Sequence, residues 1–154
     1  MRTARPMKTH TESTKAGAVL STQHQPPMLA GVHVLVVEDD DDSRAVLKLV
    51  LEYHGAFVST VSSARAALAL FGVQRVDVLV SDVLMPREDG LWLIRAVRAL
   101  PPDKGGRVPA LAISASDHLC EPARAAGFHA STLRPIDVGA FCEMTAALAT
   151  GSRA

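Results

Sequence analysis

The sequence has few aromatic residues, few cysteines and no long apolar run, and each of these features argues against a class of protein. Aromatic residues make up only 4% of its 154 residues, although 48% are hydrophobic. This balance favours an α/β domain rich in alanine, valine and leucine over a β-sandwich. Two cysteines are too few for a disulfide framework, so we expect reduced thiols and a cytoplasmic location. No apolar run approaches the roughly 20 residues that span a bilayer, and the basic N-terminus lacks the apolar core of a signal peptide.

The chain also lacks an excess of charge of either sign. Sixteen lysine and arginine residues balance sixteen aspartate and glutamate residues. Proteins that bind nucleic acid or an anionic membrane surface usually carry a basic excess. We therefore expect neither direct nucleic-acid binding nor membrane binding. The length suffices for one domain with a hydrophobic core.

The alternation of apolar runs with turn signals divides the chain into a tail and one domain. Residues 1–30 are polar with little periodicity, which predicts a disordered tail or linker, and the domain should occupy residues 31–150. The predicted strands are Val32–Val37, Phe57–Val61, Asp77–Ser81, Pro109–Ser114 and His129–Leu133. The predicted helices are Asp42–His54, Ala64–Phe71 after a Ser63 cap, Leu91–Leu100, Leu119–Ala126, and one capped by Asp137 that runs to about Ala149. Five βα units in series imply a parallel sheet with helices on both faces, a doubly wound α/β fold.

Acidic residues follow two of the predicted strands at the point where each strand ends. Asp82 follows the largely apolar run 76–81, and Glu38 and Asp39 follow the apolar run 34–37. Parallel strands deliver their carboxyl ends to one edge of the sheet, so these three carboxylates should lie together. They repel one another unless a cation sits between them, and oxygen ligands without histidine or cysteine favour Mg²⁺. The sequence therefore predicts a metal-assisted phosphate site.

Two further strand ends add a hydroxyl and a cation. Ser114 closes the fourth strand, and Arg134 follows the fifth, directly before Pro135. With the carboxylates, these groups would neutralise a phosphoryl group and hydrogen-bond its oxygens. Residues 40–42 are also acidic, but we interpret them as a solvated loop and a helix N-terminus, where carboxylates cap free N–H groups.

These motifs resemble the receiver domain of two-component response regulators. The resemblance covers about Val32 to Leu148 and rests on Val36-Val37-Glu38-Asp39, the segment Ser81–Pro86 with Asp89-Gly90, Ile113-Ser114-Ala115 and Arg134-Pro135. It implies a flavodoxin-like (βα)5 fold in which Asp82 accepts a phosphoryl group from a histidine kinase or a histidine phosphotransfer protein. It also implies that Asp39, Asp82 and the Leu84 carbonyl bind Mg²⁺, with Glu38 assisting through water.

Two positions depart from the receiver pattern. Arg134 stands where the family usually has lysine, and Ser131 stands where an aromatic residue usually moves inward on activation. Arginine keeps the charge, but it is bulkier and its fork is rigid. Since serine cannot act as an aromatic switch, we expect Ser114 to report phosphorylation by drawing in its own loop, residues 115–119. The resemblance also predicts a cis bond between Arg134 and Pro135, aiming the guanidinium at the Asp82 pocket.

The predicted function is a phosphoacceptor switch of a phosphorelay, which is not a turnover enzyme although it helps to catalyse its own phosphorylation and hydrolysis. A homodimer through the last two helices is a further expected contact. The alternative is a degenerate pseudo-receiver that binds protein partners without phosphate. A metal-dependent phosphohydrolase is disfavoured because Leu84 stands where a second aspartate is required. A flavin binder is disfavoured because the acidic loop after the first strand would repel FMN.

Overall fold

The computed structural model describes residues 27–153, in which five strands form one parallel sheet. The strands are β1 (His33–Val37), β2 (Phe57–Val61), β3 (Val78–Asp82), β4 (Ala110–Ser114) and β5 (Ala130–Leu133). The helices are α1 (Asp41–Tyr53), α2 (Ala64–Leu70), α3 (Gly90–Arg98), α4 (Cys120–Ala126) and α5 (Val138–Arg153), with short 3-10 helices at Pro102–Lys104 and Asp117–Leu119. The strand order β2-β1-β3-β4-β5 is that of a doubly wound flavodoxin-like fold, which confirms the predicted fold class.

Four strands begin one residue later than the sequence predicted. Val32, Asp77, Pro109 and His129 were expected to start strands, but each lies just before its ladder. These residues still make single backbone hydrogen bonds to a neighbouring strand or its flank, such as Asp77 N–H to the His33 carbonyl (2.8 Å). Apolar patterning does not distinguish such a flanking contact from a full ladder position.

Two hydrophobic cores lie on opposite faces of the sheet. Successive strand residues point to opposite faces, so Val34 and Val36 of β1 pack on the side of α1 and α5, with Leu51 and Phe141. Leu35 and Val37 pack on the side of α2, α3 and α4. Because β1 and β3 are covered on both faces, their sequences are almost continuously apolar until the polar residues at their carboxyl ends.

The packed structure includes residues ahead of Gly31, where the sequence analysis placed the start of the domain. Leu29 is fully buried in the core beneath α1 and α5. Its N–H donates to the carbonyl of His54 over 2.8 Å, which ties the segment to the end of α1. Residues 1–26 lie outside the described part of the chain, so the disordered tail stays a prediction.

The helices begin at the same edge at which the strands end. Acidic and hydroxyl side chains cap them there: Asp40 accepts from Ser43 N–H (2.8 Å) and Asp89 accepts from Trp92 N–H (2.9 Å). The predicted Ser63 cap of α2 is also present. The caps fix the loops that leave the strand ends. Among the described residues, no helix combines the length and the apolar character needed to cross a membrane.

Candidate functional site

Glu38, Asp39 and Asp82 meet at the carboxyl edge of the sheet. Asp82 is the last residue of β3, and Glu38 and Asp39 follow directly after β1, the strand beside it. Each residue offers a carboxylate oxygen, and these oxygens lie within 4.8 Å of one another. Glu38 is buried, Asp82 is half-buried and Asp39 is exposed. The three carboxylates that the sequence singled out therefore form one cluster, open to solvent on the Asp39 side.

Arg134 reaches this cluster from the end of β5. Its Nη2 forms an ion pair with Glu38 Oε1 and lies 3.7 Å from Asp82 Oδ2. Its backbone N–H donates to the carbonyl of Ser114 over 2.9 Å. The predicted cis bond between Arg134 and Pro135 is present, and the guanidinium points into the pocket as expected. Because 96 positions separate the two residues, no local pattern indicates Glu38 as the ion-pair partner of Arg134.

Ser114 is buried at the end of β4, and its hydroxyl is engaged with its own loop. The Oγ donates to the Ser116 carbonyl over 2.6 Å and accepts from the Ser116 N–H over 3.1 Å. Ser116 in turn accepts from the N–H of His118 through its Oγ (3.2 Å). Ser116 was not among the predicted site residues; the local signal was a second serine two residues after the first, a spacing typical of hydroxyl-capped turns.

The loop that follows Asp82 is held close beneath the site. A Cβ on Gly90 would lie 2.3 Å from the Asp82 carbonyl oxygen, so only glycine fits there. The Gly90 N–H donates to the Val83 carbonyl over 2.8 Å. Within this loop Arg87 adopts a φ of 63°, a left-handed conformation that is uncommon for residues other than glycine. The backbone of Leu84, whose carbonyl was a predicted metal ligand, lies close enough to the Asp82 carboxylate to oppose the rise in its pKa.

Burial raises the pKa of both Glu38 and Asp82. For Glu38 the hydrogen bond from the Asp40 backbone opposes this effect, and the negative charge of Asp82 adds to it. For Asp82 the charge of Arg134 is the main opposing influence, and the net shift is still upward. Partly buried carboxylates at this spacing gain from a cation that holds them ionised. An all-oxygen donor set suits a hard divalent ion such as Mg²⁺, so these residues fit one.

A family model of the response regulator receiver domain matches residues 34–145, which is most of the chain. The chain belongs to this receiver family. An uncharacterized 14.6 kDa protein of Leptolyngbya boryana is 40% identical over 111 residues, covering 71% of this chain and 83% of that protein. The response regulator MprA of Mycolicibacterium vanbaalenii is 38% identical over 99 residues, covering 64% of this chain but only 40% of MprA. The chain thus spans less than half the length of that relative.

Solved receiver domains share the fold of this one. The receiver domain of a Pseudomonas aeruginosa sensor histidine kinase, solved with a magnesium ion in its active site cleft, has a TM-score of 0.72 at 26% identity, covering 79% of this chain and 99% of that one. The chemotaxis protein CheY4 of Vibrio cholerae has a TM-score of 0.68 at 27% identity, covering 75% and 96%. The chain is therefore a receiver domain of the two-component response regulator type.

An apolar groove adjoins the acidic pocket of this receiver. Its cavity of about 380 Å³ lies between α1 and the segment that joins β5 to α5. Val46 and Val50 line one wall, Ile136 and Val138 line the other, and Arg134 stands at the end nearest the carboxylates. Val46 is 56% exposed. An exposed apolar surface beside a charged pocket is typical of a place where another molecule docks.

Proposed function

We propose that this receiver is a phosphoacceptor switch in which Asp82 accepts a phosphoryl group from a phosphohistidine in the presence of Mg²⁺. One observation carries the proposal: Asp82 ends β3 beside Glu38 and Asp39, with their carboxylate oxygens within 4.8 Å. A nucleophilic carboxylate, an oxygen-only cation site and a guanidinium within reach are what phosphoryl transfer to a side chain requires.

In the proposed reaction, an Asp82 carboxylate oxygen attacks the phosphorus atom and the phosphorus–nitrogen bond to histidine breaks. The imidazole leaves with the bonding electron pair, and aspartyl phosphate remains. Bound Mg²⁺ would neutralise the negative charge that gathers on the phosphoryl oxygens. Asp39, Asp82 and the Leu84 carbonyl would hold it directly, and Glu38 would assist through water. Later attack of water on the phosphorus would restore the Asp82 carboxylate, so the domain acts as a timed switch rather than a turnover enzyme.

Arg134 and Ser114 would bind the transferred group. The Arg134 Nη2 already lies 3.7 Å from Asp82 Oδ2, close enough to bind a phosphoryl oxygen after a small movement. Ser114 ends β4, the strand that pairs directly with β3, and its hydroxyl could turn to an equatorial oxygen. This turn would shift the loop that leads to α4, and this loop is the proposed output.

The proposed phosphodonor is a histidine kinase or a phosphotransfer protein. Its phosphohistidine must reach Asp82 while the rest of the donor rests on the surface beside it. The apolar groove between α1 and the segment after β5 is continuous with Arg134, and Val46 and Val138 are exposed there. This continuity with the reactive site favours the donor as the occupant of the groove.

Mass spectrometry of the intact protein tests the assignment. With Mg²⁺ and a small phosphoramidate donor, the wild type should gain one phosphoryl group, and Asp82→Asn should gain none. Asp103→Asn, an exposed position at the opposite edge of the domain, serves as the control and should behave as the wild type. Phosphoryl transfer to Asp82→Asn would refute the proposed site.

The pseudo-receiver is the second candidate, and one observation favours it. The guanidinium of Arg134 pairs with Glu38, so a permanent cation already partly compensates the pocket. If the wild type gained no phosphoryl group from the small donor or from a kinase, phosphate-independent binding would be the better account.

A further inference from the structure

The carboxylate of Glu38 is fully engaged by the protein itself. Oε1 pairs with Arg134 Nη2, and Oε2 accepts the N–H of Asp40 over 3.2 Å. The Glu38 side chain is 2% exposed. The same Arg134 nitrogen lies 3.7 Å from Asp82 Oδ2. One nitrogen of Arg134 is therefore close to two of the three clustered carboxylates, those of Glu38 and Asp82.

This arrangement gives the pocket its own counter-ion. A buried carboxylate without a partner is costly, and a guanidinium does not lose its proton in proteins. In the part of the chain that the structure describes, Arg134 is the cationic side chain that forms ion pairs with the cluster. Arg44 lies nearby, but its Nη1 donates to the backbone carbonyl of Glu38 (2.9 Å) and its Nη2 pairs with Asp41.

We propose that Arg134 and a divalent cation compete for the carboxylate of Glu38, so that metal entry releases the guanidinium from Glu38. The proposal rests on the proposed function, because it takes the acidic cluster as the metal site. A divalent ion at the carboxylates repels a guanidinium a few ångströms away, and the two cations draw on the same carboxylate. The released guanidinium then faces the place where a phosphoryl group would arrive.

Competition of this kind is reciprocal. If the Arg134–Glu38 pair weakens metal binding by some factor, bound metal weakens that pair by the same factor. Arg134 would thus set the affinity of the pocket for metal and would become available for phosphoryl binding only when metal is present. This role follows from the pairing with Glu38 and not from the charge at position 134 alone.

Calorimetric titration of the full chain with Mg²⁺ tests the competition without a phosphodonor. Arg134→Gln should bind Mg²⁺ about fivefold more tightly than the wild type, or tighter still, the usual range for coupled sites. Arg44→Gln is the matched control: it removes the same charge close by, but from a residue that does not touch the three clustered carboxylates. Its affinity should stay near that of the wild type. Equal or weaker binding by Arg134→Gln, an equal gain in Arg44→Gln, or no Mg²⁺ binding by any of them would overturn the proposal.

A second measurement uses the wild type alone and does not depend on the folding of a variant. The side-chain guanidinium signals of Arg134 in a nitrogen-15 NMR spectrum should shift as Mg²⁺ is added, with the midpoint seen by calorimetry. The Arg44 signals should move far less. Unchanged Arg134 signals at saturating Mg²⁺ would refute the exchange. A shift without phosphorylation of Asp82 would refute the proposed function only.

Discussion

Ser114 and Ser116 hold each other through two hydrogen bonds, in which the Ser114 hydroxyl donates to the Ser116 carbonyl and accepts from its N–H. A Ser114 hydroxyl that turned to a phosphoryl group on Asp82 would give up its bond to that carbonyl. Ser116 also caps the 3-10 helix Asp117–Leu119, which runs directly into α4. The hydrogen bonds of the two serines therefore connect the end of β4 to the 3-10 helix that precedes α4.

We predict that a phosphoryl mimic changes hydrogen exchange mainly in residues 114–137. The physical reason is that α4 has seven residues and Ala123 as its buried residue, so little packing resists its movement. Ser116→Ala should reduce the change in α4, because it removes the cap at His118. Ser63→Ala, which removes the cap of α2 instead, should leave the change intact. Changes confined to residues 38–43 would contradict this output route.

Asp39→Asn should weaken Mg²⁺ binding with little effect on folding. Asp39 is exposed, and substitutions at exposed positions usually change stability by less than about 0.5 kcal/mol. Glu38→Gln should also weaken metal binding but should cost about 1–3 kcal/mol, since it breaks a charged hydrogen bond of a buried group. Calorimetry gives the affinities and urea unfolding gives the stabilities. Equal stability losses in the two variants would contradict the difference in burial.

Val46→Asp should slow phosphotransfer from a protein donor about five- to tenfold, the effect of losing one strong interface contact. Transfer from a small phosphoramidate should be unchanged, because Asp82 itself is untouched. Val73→Asp is the matched control: Val73 is 79% exposed and lies at the opposite edge of the sheet. Stopped-flow or quench measurements of the transfer rate, made on both variants with each donor, test this prediction. An equal loss in the two variants would argue against docking in the groove.

The stability of the domain should fall as the pH drops below about 6.5, in part because of His129. Its Nδ1 accepts the N–H of Ala110 (3.1 Å) and lies 3.3 Å from Arg98 Nη2. Burial lowers the pKa of His129 from the ordinary value of 6.5, and the charge of Arg98 lowers it further. The unfolded chain therefore takes up the proton first, and acid favours unfolding between the unfolded and folded pKa values. Urea midpoints against pH, compared with those of His129→Gln, should show a flatter dependence in the variant.

Gly90→Ala should destabilise the domain by about 1–3 kcal/mol, the usual cost of forcing atoms into a packed site. The added Cβ would meet the Asp82 carbonyl oxygen at 2.3 Å and the Val83 Cα at 2.9 Å. Phosphorylation of Asp82 should slow as well, because the strand end must shift. Gly151→Ala is the control: nothing lies within 4 Å of its Cβ, and alanine in a helix gains up to about 1 kcal/mol over glycine. Thermal unfolding measures the stability of both variants.

The fold and the acidic cluster were predictable because both are encoded locally. Apolar periodicity marks the strands, and Glu38, Asp39 and Asp82 follow those strands directly. The parallel topology then brings the strand ends together. The parallel topology also predicts Arg134 at this edge, and the resemblance to receivers predicts its cis bond to Pro135.

The pairings within the site could not be predicted in this way. Whether the Arg134 side chain pairs with Glu38 or with Asp82 depends on how far it reaches across the sheet from β5, which no spacing in the sequence expresses. The position of Leu29 was missed for a related reason. Leu29 is an isolated leucine shortly after two prolines and belongs to no apolar repeat. Its burial against the end of α1 therefore leaves no pattern in the sequence.

The burial of Leu29 decides where this receiver can be separated from the residues before it. A piece cut at Gly31 would keep the strands and helices described for residues 27–153, but it would lose a fully buried leucine and the hydrogen bond to His54. Emptying such a site usually costs about 2–5 kcal/mol, which is a large part of the stability of a small domain. A receiver transplanted into another protein would keep this part of its core only if the graft began before Leu29.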